Sequence, residues 1–129
     1  RVGPYEVKLD FLDASLRSFK RDESPIYKPL VIYEENRITH EEMDVSDLAV
    51  LIAEGTYTSL LEFVDLRVFI DRDYRATLEA RQRRARDQWE PFVKHVLERE
   101  HQIISQHKML ADVVVPAEFD RLEIQSQRR

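Results

Sequence analysis

Residues 65–88 read DLRVFIDRDYRATLEARQRRARDQ, and the change of pattern at Asp71 decides what kind of fold the chain can build. Before it, Leu66-Arg67-Val68-Phe69-Ile70 is a short run rich in β-branched and aromatic side chains, the composition of a strand. After it, Tyr74 to about Arg86 holds Leu78, Ala85 and little else that is apolar, which predicts a mostly solvated helix. Further on, Trp89, Phe92, Val93, Val96, Leu97, Ile103 and Ile104 recur at steps of three and four. That spacing predicts a helix with one apolar stripe, reaching Leu110 and tolerating Pro91 in its first turn. Ala111-Asp112-Val113-Val114-Val115 is a second strand-like run, stopped by Pro116, which cannot donate to a ladder.

A third run lies upstream. Leu48-Ala49-Val50-Leu51-Ile52-Ala53 does not alternate with polar residues, so it reads as a strand covered on both faces, as in parallel sheets. Earlier still, DFLDASLRSFKR (10–21) places Phe11, Leu12, Leu16 and Phe19 at helical spacing, with Asp10 as the expected N-cap. In ESPIYKPLVIYEENRIT (23–39), Pro25 and Pro29 forbid helix and Val31-Ile32-Tyr33 favours extended backbone. A loop and then a short strand or hairpin are expected, turning at Glu34-Glu35-Asn36. Near the end, Leu122 and Ile124 alternate with polar residues and allow a last short strand, whereas QSQRR should fray. Strand, helix, strand, helices, strand is the order of an open α/β sheet with right-handed crossovers.

Composition narrows the function. With 129 residues and 43% hydrophobic side chains, a single domain with a real core is expected, and no repeat or linker marks an internal boundary. The chain starts at Arg1 rather than Met, and its first residues already read as mid-domain, which predicts a part of a longer polypeptide. Zero cysteines removes disulfides, thiolate metal sites and cysteine nucleophiles, and fits a reducing, cytoplasmic setting. No apolar run approaches the ~20 residues of a membrane span, so no membrane partner is expected. A net charge of −5 argues against nucleic acid as a partner.

In open α/β sheets the ligand crevice lies at the carboxyl ends of the strands, where Glu54 and Asp71 stand. A carboxylate there can hold magnesium or orient an attacking hydroxyl, and Gly55 lets the backbone turn sharply. The plainer reading is that Glu54 caps the following turn. Arg67, Arg72, Arg75, Arg81, Arg83, Arg84 and Arg86 form a basic segment. Guanidinium forks match phosphate oxygens, although most charged helices are simply solvated faces. Glu98 and His101 have a metal-helix spacing, but a metal site needs a second copy of the motif and none is evident.

The order EGTYTSLL (54–61), DLRVFIDRDYRATLEARQRRARDQ (65–88), HKMLADVVV (107–115) resembles the C-terminal half of the uridine kinase and phosphoribulokinase family of P-loop kinases. PYEVKLDFLDASLRSFKRDESPIYKPLVIY (4–33) is similar to that family's acceptor side. The resemblance runs from about Gly3 to Pro116. It implies a partial P-loop kinase-type parallel sheet flanked by helices. The acceptor segment would be 1–40, a magnesium-carboxylate strand 48–55, a lid 71–88, a long helix 89–110 and a last strand 111–115. It further implies an ATP-dependent kinase acting on a hydroxyl of a nucleoside, sugar or related compound, with ATP and Mg2+ as cofactors. Glu54 would be the catalytic, magnesium-holding carboxylate, Arg81 and Arg84 the lid arginines on the phosphates, and Tyr27 a substrate-binding residue. Asp71 and Asp73 would support the start of the lid helix.

The departures are specific. No G-x-x-x-x-G-K-[ST] occurs, and the only glycines are Gly3 and Gly55. The P-loop, with the base that activates the acceptor, would precede Arg1, and this chain alone is not expected to transfer phosphate. Its partner would be a missing N-terminal half or a second copy in a homo-oligomer. Pro29-Leu30-Val31-Ile32 replaces the aromatic and histidine pattern of uridine kinases, so another small hydroxyl compound competes with a pyrimidine nucleoside. A kinase-like domain that only binds partners is the alternative. The P-loop strand would lie between 49–53 and 67–70, so these two are not expected to pair directly.

Overall fold

The computed structural model describes residues 2–83 and 91–125, with the side chains of 78–82 outside that description. The chain is mixed α/β with one two-stranded and one three-stranded sheet. Its contacts divide it into two compact units, Val7–Val64 and Arg1–Glu6 with Asp65–Arg129. No helix among the described residues is long and apolar enough to cross a membrane.

In the first unit, helix α1 (Leu9–Lys20) forms where the spacing predicts and buries Leu16. Its N-cap is Lys8, with no side-chain capping bond, and Asp10 lies inside the first turn. The expected Asp10 cap is thus corrected: the carboxylate faces the positive end of the helix dipole instead. At the other end Glu23 N donates to Ser18 O and Asp22 N to Phe19 O, a Schellman arrangement with Asp22 left-handed at φ 57. Glycine usually occupies that position. Asp22→Gly is expected to stabilise the unit by about 0.5–1 kcal/mol, seen as a higher urea midpoint with unchanged slope.

Strands β1 (Ile26–Ile32) and β2 (Arg37–Met43) make an antiparallel hairpin in register Ile26↔Met43 to Ile32↔Arg37. The turn is a 3-10 segment, Tyr33–Glu35, closed by Asn36 in the left-handed region, which asparagine tolerates. Of the two expectations for this stretch, the hairpin is the one that forms.

The expected strand over 48–53 does not form. Residues 48–54 carry no regular structure, and Leu48, Val50 and Ile52 are 47%, 73% and 83% exposed. An apolar run becomes a strand only when a neighbour supplies the ladder, and the described residues supply none here. After a 3-10 turn at Thr58–Leu60 the chain buries Leu61. Asp13 then pins the exit to α1: its Oδ1 accepts Glu62 N at 2.8 Å and Phe63 N at 3.1 Å.

The second unit holds the change of pattern at Asp71. Strand β3 (Val68–Asp71) is followed by helix α2 (Tyr74–Arg83), helix α3 (Pro91–Ile104) and strand β4 (Val113–Pro116). Pro91 is the first described residue of α3, and Trp89, expected on the same apolar stripe, lies outside the described residues. The backbone tightens into 3-10 turns over Ser105–Leu110, so the α-helix stops short of Leu110. Strands β3 and β4 pair in parallel, Val68↔Val113 to Asp71↔Pro116, and β5 (Glu123–Ile124) adds antiparallel to β4. The order is β3-β4-β5. Phe69, Ala111 and Val114 form the core on one face, with Ile104 packed against them. Asp112 fixes the entry to both strands, because its Oδ2 accepts Arg67 N at 2.8 Å while its own N–H donates to Arg67 O.

Candidate functional site

At the carboxyl end of β3, the two aspartates of Asp-Arg-Asp do different work. Asp73 supports the start of α2: its Oδ1 accepts Arg75 N at 2.8 Å and its carbonyl accepts Ala76 N at 3.1 Å. These are donors that a helix N-terminus leaves unpaired. Asp71 instead pairs with Lys108 Nζ at 2.5 Å, so its expected support of the helix start is corrected. The hydrogen bond that Lys108 donates to Asp71, with the charge of that carboxylate, holds the Lys108 ammonium above the ordinary lysine range.

The first turn of α2 is clasped to α3. Tyr74 Oη donates to Glu98 Oε1 at 3.0 Å, and the Tyr74 and His101 rings lie 5.6 Å apart. Arg75 Nε donates to Tyr74 Oη at 3.4 Å, the main cause that raises the Arg75 pKa. Arg72 donates to Ala76 O at 3.2 Å and lies over the Phe119 ring at 5.7 Å. Arg72 and Arg75 therefore serve the local structure. Arg81 lies on α2 with its side chain outside the described residues, and Arg84 lies outside them altogether.

Glu54 belongs to the other unit. It is exposed and sits in an irregular segment immediately before a tight turn, not at the end of a buried strand. Gly55 has φ 150, a backbone state that side chains with a Cβ rarely adopt. A Cβ there would meet only Thr58 Cγ2 at 3.6 Å, an ordinary contact, so conformation and not space calls for glycine. The turn is closed by Thr58 Oγ1 donating to Gly55 O at 3.0 Å. No side chain caps Thr58–Leu60, so the reading of Glu54 as its cap gains no support. Asp44 shows what a structural carboxylate looks like in this unit. It accepts Ser46 Oγ, Ser46 N and Ser24 Oγ, and these bonds, Ser46's hydroxyl first, hold it below the usual carboxylate range.

Tyr27 lies on β1, 45% exposed, with its Oη donating to Glu42 Oε1 at 3.4 Å. Its carbonyl accepts Ser15 Oγ at 2.8 Å, which ties α1 to β1. Phe11 of α1 stacks on His40 of β2 with ring centres 5.0 Å apart. Glu42 and His40 escape a reading of residue types, since only the hairpin register brings them beside Tyr27.

Among the described residues, no group of three or more His, Cys, Asp or Glu could hold a metal by itself. The structure thus puts Glu54 and Tyr27 in one unit and the α2 backbone of Arg81 in the other. No family model, curated protein or solved structure matches the chain.

Proposed function

We propose that this chain forms the acceptor and lid portion of an ATP-dependent small-molecule kinase with a P-loop kinase-type sheet. The observation that carries the reading is the parallel pair β3–β4, whose connection opens with an arginine-bearing helix, its first turn held by Asp73 just past the carboxyl end of β3. Ligands of open α/β folds gather at that end. In this reading Arg81 and Arg84 neutralise phosphate charge, Tyr27 contacts the acceptor and Glu54 holds magnesium. A magnesium ion held there would neutralise charge on the phosphate oxygens that otherwise repels the attacking hydroxyl.

A non-catalytic kinase-like interaction domain is the second reading, favoured by the exposed run Leu48, Val50 and Ile52. MgATP binding separates the two. Calorimetric titration of the chain, and of a polypeptide joining it to a P-loop half, is expected to show magnesium-dependent ATP binding in the latter. Absence of binding in both would leave the interaction domain standing.

A further inference from the structure

We infer that two copies of this chain pair through the outer edge of β2, antiparallel and centred on Thr39, to make one sheet in the order β1-β2-β2-β1. Among the described residues the hairpin is a sheet of two strands, which is marginal in water and gains by adding more. Its two edges are not alike. Pro29, which has no N–H, sits opposite His40, and the carbonyl of Tyr27 accepts Ser15 Oγ at 2.8 Å. The odd-numbered residues of β1 therefore turn their backbone groups away from β2. That edge is blunted by the proline and taken by α1 at Tyr27. By the alternation of an antiparallel ladder, Ile38, His40 and Glu42 turn their N–H and C=O groups to the outer edge of β2, where no described strand pairs with them.

The charges along that edge select a second copy as its occupant and fix the register. Residues directly opposite in an antiparallel pair share a face, so β2 pairs with itself only in registers centred on a residue. Centring on Ile38 sets Glu35 against the partner's Glu41, and centring on Glu41 sets that carboxylate against its own copy; both oppose like charges. Centring on His40 brings Arg37 opposite the partner's Met43 and pairs no charges. Centring on Thr39 sets Arg37 against the partner's Glu41, twice by symmetry. Lys28 already lies 3.0 Å from Glu41 on the same face, so basic, acidic and basic groups follow one another across the joined sheet. Arg37 otherwise reaches only Glu35, in an exposed pair at 2.9 Å that is readily exchanged. The same register makes Ile38 and the partner's His40 a hydrogen-bonding pair, since both turn their backbone groups outward. Ile38 is 64% exposed and would gain cover from that imidazole, which stacks on Phe11 in each copy. Pairing closes at two copies, because the β1 edges left outside are the blunted ones. It needs no nucleotide and is independent of the kinase reading.

The test is sedimentation velocity of the full chain from about 10 to 300 µM, a range suited to a small interface. A reversible monomer–dimer equilibrium is expected. His40→Pro removes a donor from the outer edge and leaves the β1–β2 ladder its bonds, so it should weaken dimerisation at least about tenfold. Arg37→Glu and Glu41→Arg should each weaken it about tenfold. An equimolar mixture of those two variants should recover it, because each copy then faces opposite charge on the other. The chain has no cysteine, so Thr39→Cys reads the register: oxidised glutathione should join two copies there at least about tenfold faster than in Glu41→Cys. Hairpin amide shifts show that each variant keeps its fold. A chain that stays monomeric throughout overturns the inference. So does a dimer that survives His40→Pro and both charge reversals, or a mixture that fails to recover. Should His40→Pro open the hairpin, the mixture and the cross-link at position 39 decide.

Discussion

Glu54→Gln, in a polypeptide that joins this chain to a P-loop half, is expected to lower kcat about a hundredfold or more while leaving the fold unchanged. Under the proposed kinase function, the size follows from removing a charged contact to the metal that would neutralise the transferring phosphoryl group. The fold is spared because the side chain is exposed and lies in a segment without regular structure. Steady-state kinetics at several magnesium concentrations check it, since the loss should be partly offset by excess metal. Unchanged kcat and unchanged magnesium dependence would strike Glu54 from the site and, with it, the reason to expect a charge there.

Leu61→Ala is expected to have the largest effect on stability, about 2–5 kcal/mol. Leu61 is 1% exposed and lies between the Gly55 turn and the Asp13-anchored exit of the unit. Truncation removes the buried methyls and leaves a cavity that the neighbours fill only in part. A unit of this size has a modest margin, on the order of 5 kcal/mol, so the variant should be largely unfolded at moderate temperature. Leu61→Met keeps the volume and should cost less than about 1.5 kcal/mol. Thermal melts followed by circular dichroism compare the two, and equal melting temperatures would show that the site does not carry the packing assigned to it.

How well the sequence foretold these features follows from how local their causes are. Helix α1, the strands at Val68 and Val113 and the apolar stripe of α3 are set by periodicity, which acts over a few residues. Even the tail strand at Glu123–Ile124 follows from alternation. The run at 48–53 failed because its apolar pattern states a wish for burial and says nothing of whether a ladder partner exists. The N-cap lies at Lys8, two residues before Asp10, and makes no side-chain capping bond, so a capping residue type did not mark where the helix begins. Likewise Asp71 and Asp73 look equivalent in sequence. Only the fold places Lys108 within reach of the first and the Arg75 amide within reach of the second. The division after Val64 has no Gly, Pro or Ser cluster to announce it.

The parallel pairing of β3 with β4 also sets an order of events in folding. The hairpin closes over the four residues between Ile32 and Arg37, a task of microseconds, whereas Arg67 must find Asp112 across 45 positions of chain. During synthesis the hairpin and α1 can therefore assemble while the last strand is still unmade. Val68 and Ile70 would wait through that interval beside a strand edge with no neighbour, the period in which this polypeptide is most exposed to aggregation.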